Sequence, residues 1–145
     1  MTDSDSVGLP LSAKGIVLRR YADGGYRVLL ARNDRHEWEL PGGRPEAGES
    51  EAAALVREVL EETGQQVEVG PLVNRFELEI PQAGARVRIA AYGCRLVRRR
   101  SLRLSTEHGQ LGWLPVAELP DSVPAGYAAA IADWVLIHDG AGDCG

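Results

Sequence analysis

Cysteine is scarce in this 145-residue chain: there are two, Cys94 and Cys144, and the second sits in a Gly-rich ending, DGAGDCG. There is no CxxC pair and no Cys/His cluster, so neither a zinc site nor a disulfide scaffold is indicated, and a reducing cytoplasm fits best. Long apolar runs are also missing. The most apolar stretch, YAAAIADWVLI, is 11 residues long and broken by Asp133, too short to cross a bilayer. The opening MTDSDSVGLP is acidic and polar, with no basic segment or apolar centre, so no signal peptide is expected there. Basic clusters are nearly absent. The run RRR at 98–100 reads as a solvated hairpin tip, and stable nucleic-acid binding through a basic face is not expected.

What the chain does have is negative charge in one place. The net charge is -5, and six glutamates and one arginine between Glu46 and Glu62 account for all of it. The hydrophobic and charged fractions, 44% and 26%, are those of an ordinary globular protein. A single domain over 1–145 is expected, with about 1–10 and 139–145 flexible.

Strands are predicted at 13–20 and 26–32, joined through an Asp-Gly-Gly turn, then at 66–70, 72–80, 85–97 and 111–116. The piece WELPGG (38–43) is extended and ends in a Pro-Gly-Gly break. A helix is predicted over Glu49 to Gly64, with Ser50 as N-cap and Gly64 just past the end. A last helix starts near Pro124 and turns Tyr127, Ile131, Trp134 and Val135 to the core. Tight turns link the early strands, so a mixed sheet is expected.

The acidic helix is the informative element. With Glu58 at 0° and about 100° per residue, Glu61 falls near -60°, Glu62 near +40° and Glu51 near +20°. Ala53, Val56, Val59 and Leu60 fall on the opposite side, which is the face expected to be buried. Like charges at such spacings destabilise a helix, and no lysine is interleaved. Clustered carboxylates suit a hard divalent cation, Mg2+ or Mn2+, which turns repulsion into coordination. The loop PGGRPEAGE just before the helix brings backbone groups close to a metal or phosphate.

From Gly43 the pattern runs five residues to Glu49, seven more to Arg57–Glu58, then Val59, one residue, Glu61–Glu62, one residue, Gly64. This stretch, Gly43 to Gln65, resembles the Nudix box, G-x5-E-x7-R-E-U-x-E-E-x-G-U with U a bulky aliphatic. The seven charged or glycine positions match, a chance of about one in 10^8 per starting position at ordinary residue frequencies. Gln65 departs, standing where the last aliphatic belongs, which bears on local packing more than on a metal.

The resemblance implies an α/β fold, a Nudix-type α/β/α sandwich around a mixed β-sheet, and Mg2+- or Mn2+-dependent hydrolysis of a nucleoside diphosphate linked to another moiety. It implies Glu58, Glu61 and Glu62 as metal-binding carboxylates, the Gly43 carbonyl as a further ligand, and Arg57 as the residue orienting the acids by pairing with Glu49. Glu61 is also implied as catalytic, and Glu107, six residues before Trp113, is similar to a loop glutamate that acts in some such enzymes as base or additional metal ligand. His108 beside it reads as solvated. Trp38, Phe76 and Tyr92 read as core more readily than as base-stacking platforms.

The implied partner is a small nucleotide, with no membrane and a monomer or homodimer left open. Nucleoside triphosphates, damaged or ordinary, and ADP-sugars are the main candidates. Pro81, 16 residues past the box, resembles a weak marker of the ADP-ribose subgroup, while the short N-terminal segment favours triphosphates. The alternative is a catalytically inactive sensing or binding module of the same fold. Degenerate relatives lose box glutamates, and this chain keeps them.

Overall fold

The computed structural model describes residues 9–98 and 110–140. Seven strands form one sheet: β1 (Leu11–Arg20), β2 (Tyr26–Arg32), β3 (Trp38–Glu39), β4 (Gly42–Gly43), β5 (Gln66–Ile80), β6 (Ala85–Arg98) and β7 (Gln110–Pro115). The helices are α1 (Glu51–Thr63) and α2 (Ala125–Gly140), with short 3-10 turns at Pro81–Ala83 and Val116–Glu118. The strand order is β3-β2-β1-β6-β5, with β4 beside β1 and β7 beside β2. The sheet is mixed, because β1 runs parallel to β6 while the other pairings are antiparallel.

Strand β1 organises the molecule. Its first part, Leu11 to Val17, pairs with β6, and its end, Leu18 to Arg20, pairs with β2. Alternation then splits its side chains between two cores. Ile16 joins Val28, Leu30, Leu40, Tyr127, Ile131 and Trp134 beneath α2, whereas Ala13 and Val17 join Leu29, Leu55, Val59 and Cys94 beneath α1. Helices on both faces of a mixed sheet make the α/β/α layering.

The segments expected at 66–70 and 72–80 are one strand, β5, bulged at Val69/Leu72 and Leu72/Asn74. A bulge adds residues without ending the pairing, and Gly70–Pro71 reads as a break in sequence for that reason. In α2, Tyr127, Ile131 and Trp134 are buried, but Ala130 takes the inward place expected of Val135, which is half-buried. No helix among the described residues is long and apolar enough to cross a membrane.

Helix α1 begins and ends where its caps dictate. Ala53 N–H donates to Ser50 Oγ at 3.0 Å, and Gly64 adopts φ 78°, its N–H donating to the Leu60 carbonyl. The face it buries differs from the expected one. Leu60 is 39% exposed and Ala53 is exposed, while Ala54, Leu55, Val59, Thr63 and Glu62 are buried. On the same wheel the buried arc runs from about -40° to about +140°, and it includes Glu58 and Glu62. The acidic side therefore faces inward, toward β4.

Candidate active site

Two glycines make room for those carboxylates. Gly43 lies against Glu58 so closely that a Cβ there would sit 1.9 Å from Glu58 Oε2. Gly42 has φ 146° and donates its N–H to Glu62 Oε1 at 3.2 Å, leaving Glu62 5% exposed. Pairing of β4 with Ala13 and Lys14 of β1 fixes both glycines. A Pro-Gly-Gly break thus becomes the floor under the helix.

Arg57 holds the acids from the other side. Its Nε donates to Glu49 Oε2 at 2.8 Å and its Nη2 to Glu49 Oε1 at 2.9 Å, a two-pronged pair. Nη1 donates to Glu58 at 3.2 Å and to Glu61 at 3.4 Å, and lies 4.0 Å from Glu46. One guanidinium therefore offsets much of the repulsion that the sequence leaves unexplained. Rigid fork geometry is what lets arginine do this where lysine would not.

The pair also sets protonation. Hydrogen bonds from Arg57, and then from the Glu46 N–H, pull the Glu49 carboxyl down from 4.5 to about 2. The same pairing pushes the Arg57 guanidinium up. Glu49 is consequently a poor proton acceptor near neutrality, and its two oxygens hold the Arg57 guanidinium in place. A depressed carboxyl pKa contributes stability that is complete above about 4.5 and is lost as pH falls toward about 2. Urea titrations from pH 6 to 2 should show that loss in the wild type and a flatter acid limb in Glu49→Gln. Identical limbs would disprove the coupling.

Do these residues suit a hard cation? Among the described residues no three Asp, Glu, His or Cys groups form a ready-made cage. Mg2+ does not require one, since it keeps waters and binds through one or two carboxylates plus substrate phosphates. The oxygen-only donors and the glycine at Glu58, whose Cβ would fill that space, fit such an ion.

The structure thus gathers Glu49, Arg57, Glu58, Glu61, Glu62 and Gly43 on one side of α1. Glu107 and His108 lie outside the described residues. Trp38 and Phe76 pack against the α2 core, and Tyr92 donates its hydroxyl to Glu51 at 2.5 Å. Gln65, in the aliphatic slot, is buried, and its N–H donates to Thr63 Oγ1 at 3.1 Å. Cys94 is also buried, and burial pushes its thiol up to about 12.

Known proteins match this chain along most of its length. The NUDIX domain model matches residues 11–135. A MutT-like protein of Streptomyces ambofaciens is 32% identical over 132 residues, covering 91% of this chain and 79% of its own. A Mycobacterium tuberculosis protein provisionally named 8-oxo-dGTP diphosphatase 2 is 37% identical over 116 residues, covering 77% of this chain and 73% of its own. Among solved structures, a C. elegans Ap4A hydrolase in a binary complex superposes with a TM-score of 0.80 at 20% identity, covering 91% of this chain and 99% of that one. That last likeness is one of fold.

Proposed function

This chain belongs to the Nudix hydrolase family, and from that premise we propose that it cleaves a pyrophosphate bond in a nucleoside triphosphate, oxidised purine triphosphates included, with Mg2+ or Mn2+. The observation that carries the proposal is the inward carboxylate pair, Glu58 and Glu62, seated on Gly42–Gly43 with Arg57 bracing Glu58 from outside. The name of the Mycobacterium tuberculosis relative supports triphosphates over ADP-sugars. Pro81 opens the 3-10 turn between β5 and β6.

Glu58 and Glu62 would hold the ion, with the Gly43 carbonyl as a further ligand. A bound divalent ion supplies charge stabilisation at the bridging oxygen and a more acidic water. Glu61, more exposed than Glu58 or Glu62, and Glu107 are the candidates to accept the proton. Arg57 keeps Glu58 and Glu61 oriented while Glu49 keeps Arg57 in place.

The test is release of phosphate or pyrophosphate across a panel of nucleotides and ADP-ribose, with Mg2+ and with chelator. Metal-dependent turnover of a purine triphosphate is expected. No turnover anywhere on the panel would leave a binding module as the better reading. For Glu107→Gln, kcat should fall about 10^2- to 10^4-fold with unchanged metal dependence if it is the base, and rescue by excess metal would make it a ligand instead.

A further inference from the structure

Two buried side-chain donors lack a partner among the described residues, Arg32 Nε and Trp134 Nε1. Arg32 spends another N–H on Gln110, and its guanidinium lies over the Trp38 ring. Trp134 has no such outlet. Its side chain is almost wholly buried at 8% exposure, and an indole N–H can only donate. Buried indoles ordinarily find an acceptor, and leaving one unpaired is costly. Trp134 also lines a cavity of about 460 Å3.

The cavity opens where β5 is bulged. Val69 pairs with Cys94 and Leu72 with Tyr92, so Gly70 and Pro71 together face a single residue, Gly93. The two glycines bring no side chain to fill the space between them. Gly93 is also where Trp134 rests, since a Cβ there would stand 2.5 Å from the indole Cε2. Nε1 is bonded to Cε2, so the unpaired N–H sits at the floor of the cavity beside Gly93. Ile137, 45% exposed, adds an apolar wall, and His138 lines the cavity with its ring 5.5 Å from that of Trp134.

These features set the chemistry of an occupant. Its volume lies in the range of sites for small organic ligands, roughly 300–1,000 Å3. Trp134, Ile137 and Pro71 suit an apolar body, and one unpaired donor calls for one acceptor. Glu68 and Arg95, which also line the cavity, pair with each other across the strands. They therefore present no net charge to a ligand. The cavity lies on the α2 side of the sheet with Trp134, whereas the box carboxylates belong to α1 on the other side.

We propose that this cavity is a second ligand site, which takes an uncharged, largely apolar small molecule and binds its carbonyl oxygen through the Trp134 indole N–H. It is separate from the hydrolytic site, and binding there does not depend on turnover.

Two compounds of nearly the same shape test it, acetophenone, which has an acceptor, and ethylbenzene, which has none. The chain has three tryptophans, so 15N labelling gives three indole N–H resonances, and the one missing in Trp134→Phe belongs to Trp134. Millimolar acetophenone should move that resonance downfield. It should also bind about 2- to 10-fold more tightly than ethylbenzene, the span of one net hydrogen bond. Trp134→Phe should erase the difference. A Trp134 resonance that ignores acetophenone overturns the proposal. So does equal affinity for the two compounds, or a response confined to Trp38 and Trp113.

Ile137→Trp tests the place. The position is half-exposed on α2, so the larger side chain should fill the cavity and abolish acetophenone binding with the thermal midpoint unchanged. Binding that survives the filling puts the ligand elsewhere and overturns the site. If Trp134→Phe does not fold, Trp38→Phe and Trp113→Phe assign the Trp134 resonance by elimination, and the two compounds compared on the wild type and on Ile137→Trp decide the question.

Discussion

Glu58→Gln and Glu62→Gln should each lower kcat by about 10^2- to 10^4-fold while leaving the protein folded, since loss of a few kcal/mol of charge stabilisation costs tenfold for about each 1.4 kcal/mol. Folding should survive for a local reason in each case. In Glu62→Gln the side-chain amide keeps an oxygen that can accept from the Gly42 N–H, now 3.2 Å from Glu62 Oε1. In Glu58→Gln it keeps one that can accept from Arg57 Nη1, now at 3.2 Å from Glu58 Oε1. Removing one of several crowded negative charges also relieves repulsion along α1. Steady-state turnover across a Mg2+ titration, with thermal melting as the folding control, decides this. Near-wild-type kcat at saturating metal in either variant would remove that carboxylate from the site.

Gly42→Ala should produce the largest loss of stability, about 3–5 kcal/mol from left-handed backbone strain and overpacking together. Its φ of 146° is one alanine rarely adopts, and the new Cβ would stand 2.0 Å from the Ala13 carbonyl oxygen and 2.9 Å from Lys14 Cα. Both obstacles are backbone of β1, so nothing can swing aside. Such a loss is a large fraction of the roughly 5–15 kcal/mol typical of a folded domain.

Two neighbouring glycines act as internal controls. Gly48→Ala, at φ 80° with nothing within 4 Å, should cost only about 1–2 kcal/mol for its conformation. Gly43→Ala meets the end of the flexible Glu58 side chain, so it should fold yet displace that carboxylate and lose activity. Denaturant unfolding of the three variants ranks them. Gly42→Ala no worse than Gly48→Ala would show that β4 is not pinned to β1.

Sequence by itself determined what depends on neighbours along the chain. Ser50 and Gly64 bound α1 because caps act on backbone groups three or four residues away. The pairing of Glu49 with Arg57 was implied by the resemblance to the Nudix box, and the structure forms it. Turn residues and alternation marked the strands, and the box spacing marked the family.

Only the tertiary structure decided which way α1 faces. Periodicity placed Leu60 inward and Glu62 outward, and the fold does the reverse, because burial of a helix face depends on what it packs against. The surface it meets includes Gly42 and Gly43, which have no side chains and offer an N–H, so carboxylates fit there and Leu60 does not. Those glycines are in place because β4 pairs with β1 across some thirty residues of chain. The same pairing brings Lys14 beside Gly42 and within reach of Glu39, 25 positions away. No periodicity reports a contact of that range, since it is set by strand register rather than by local spacing.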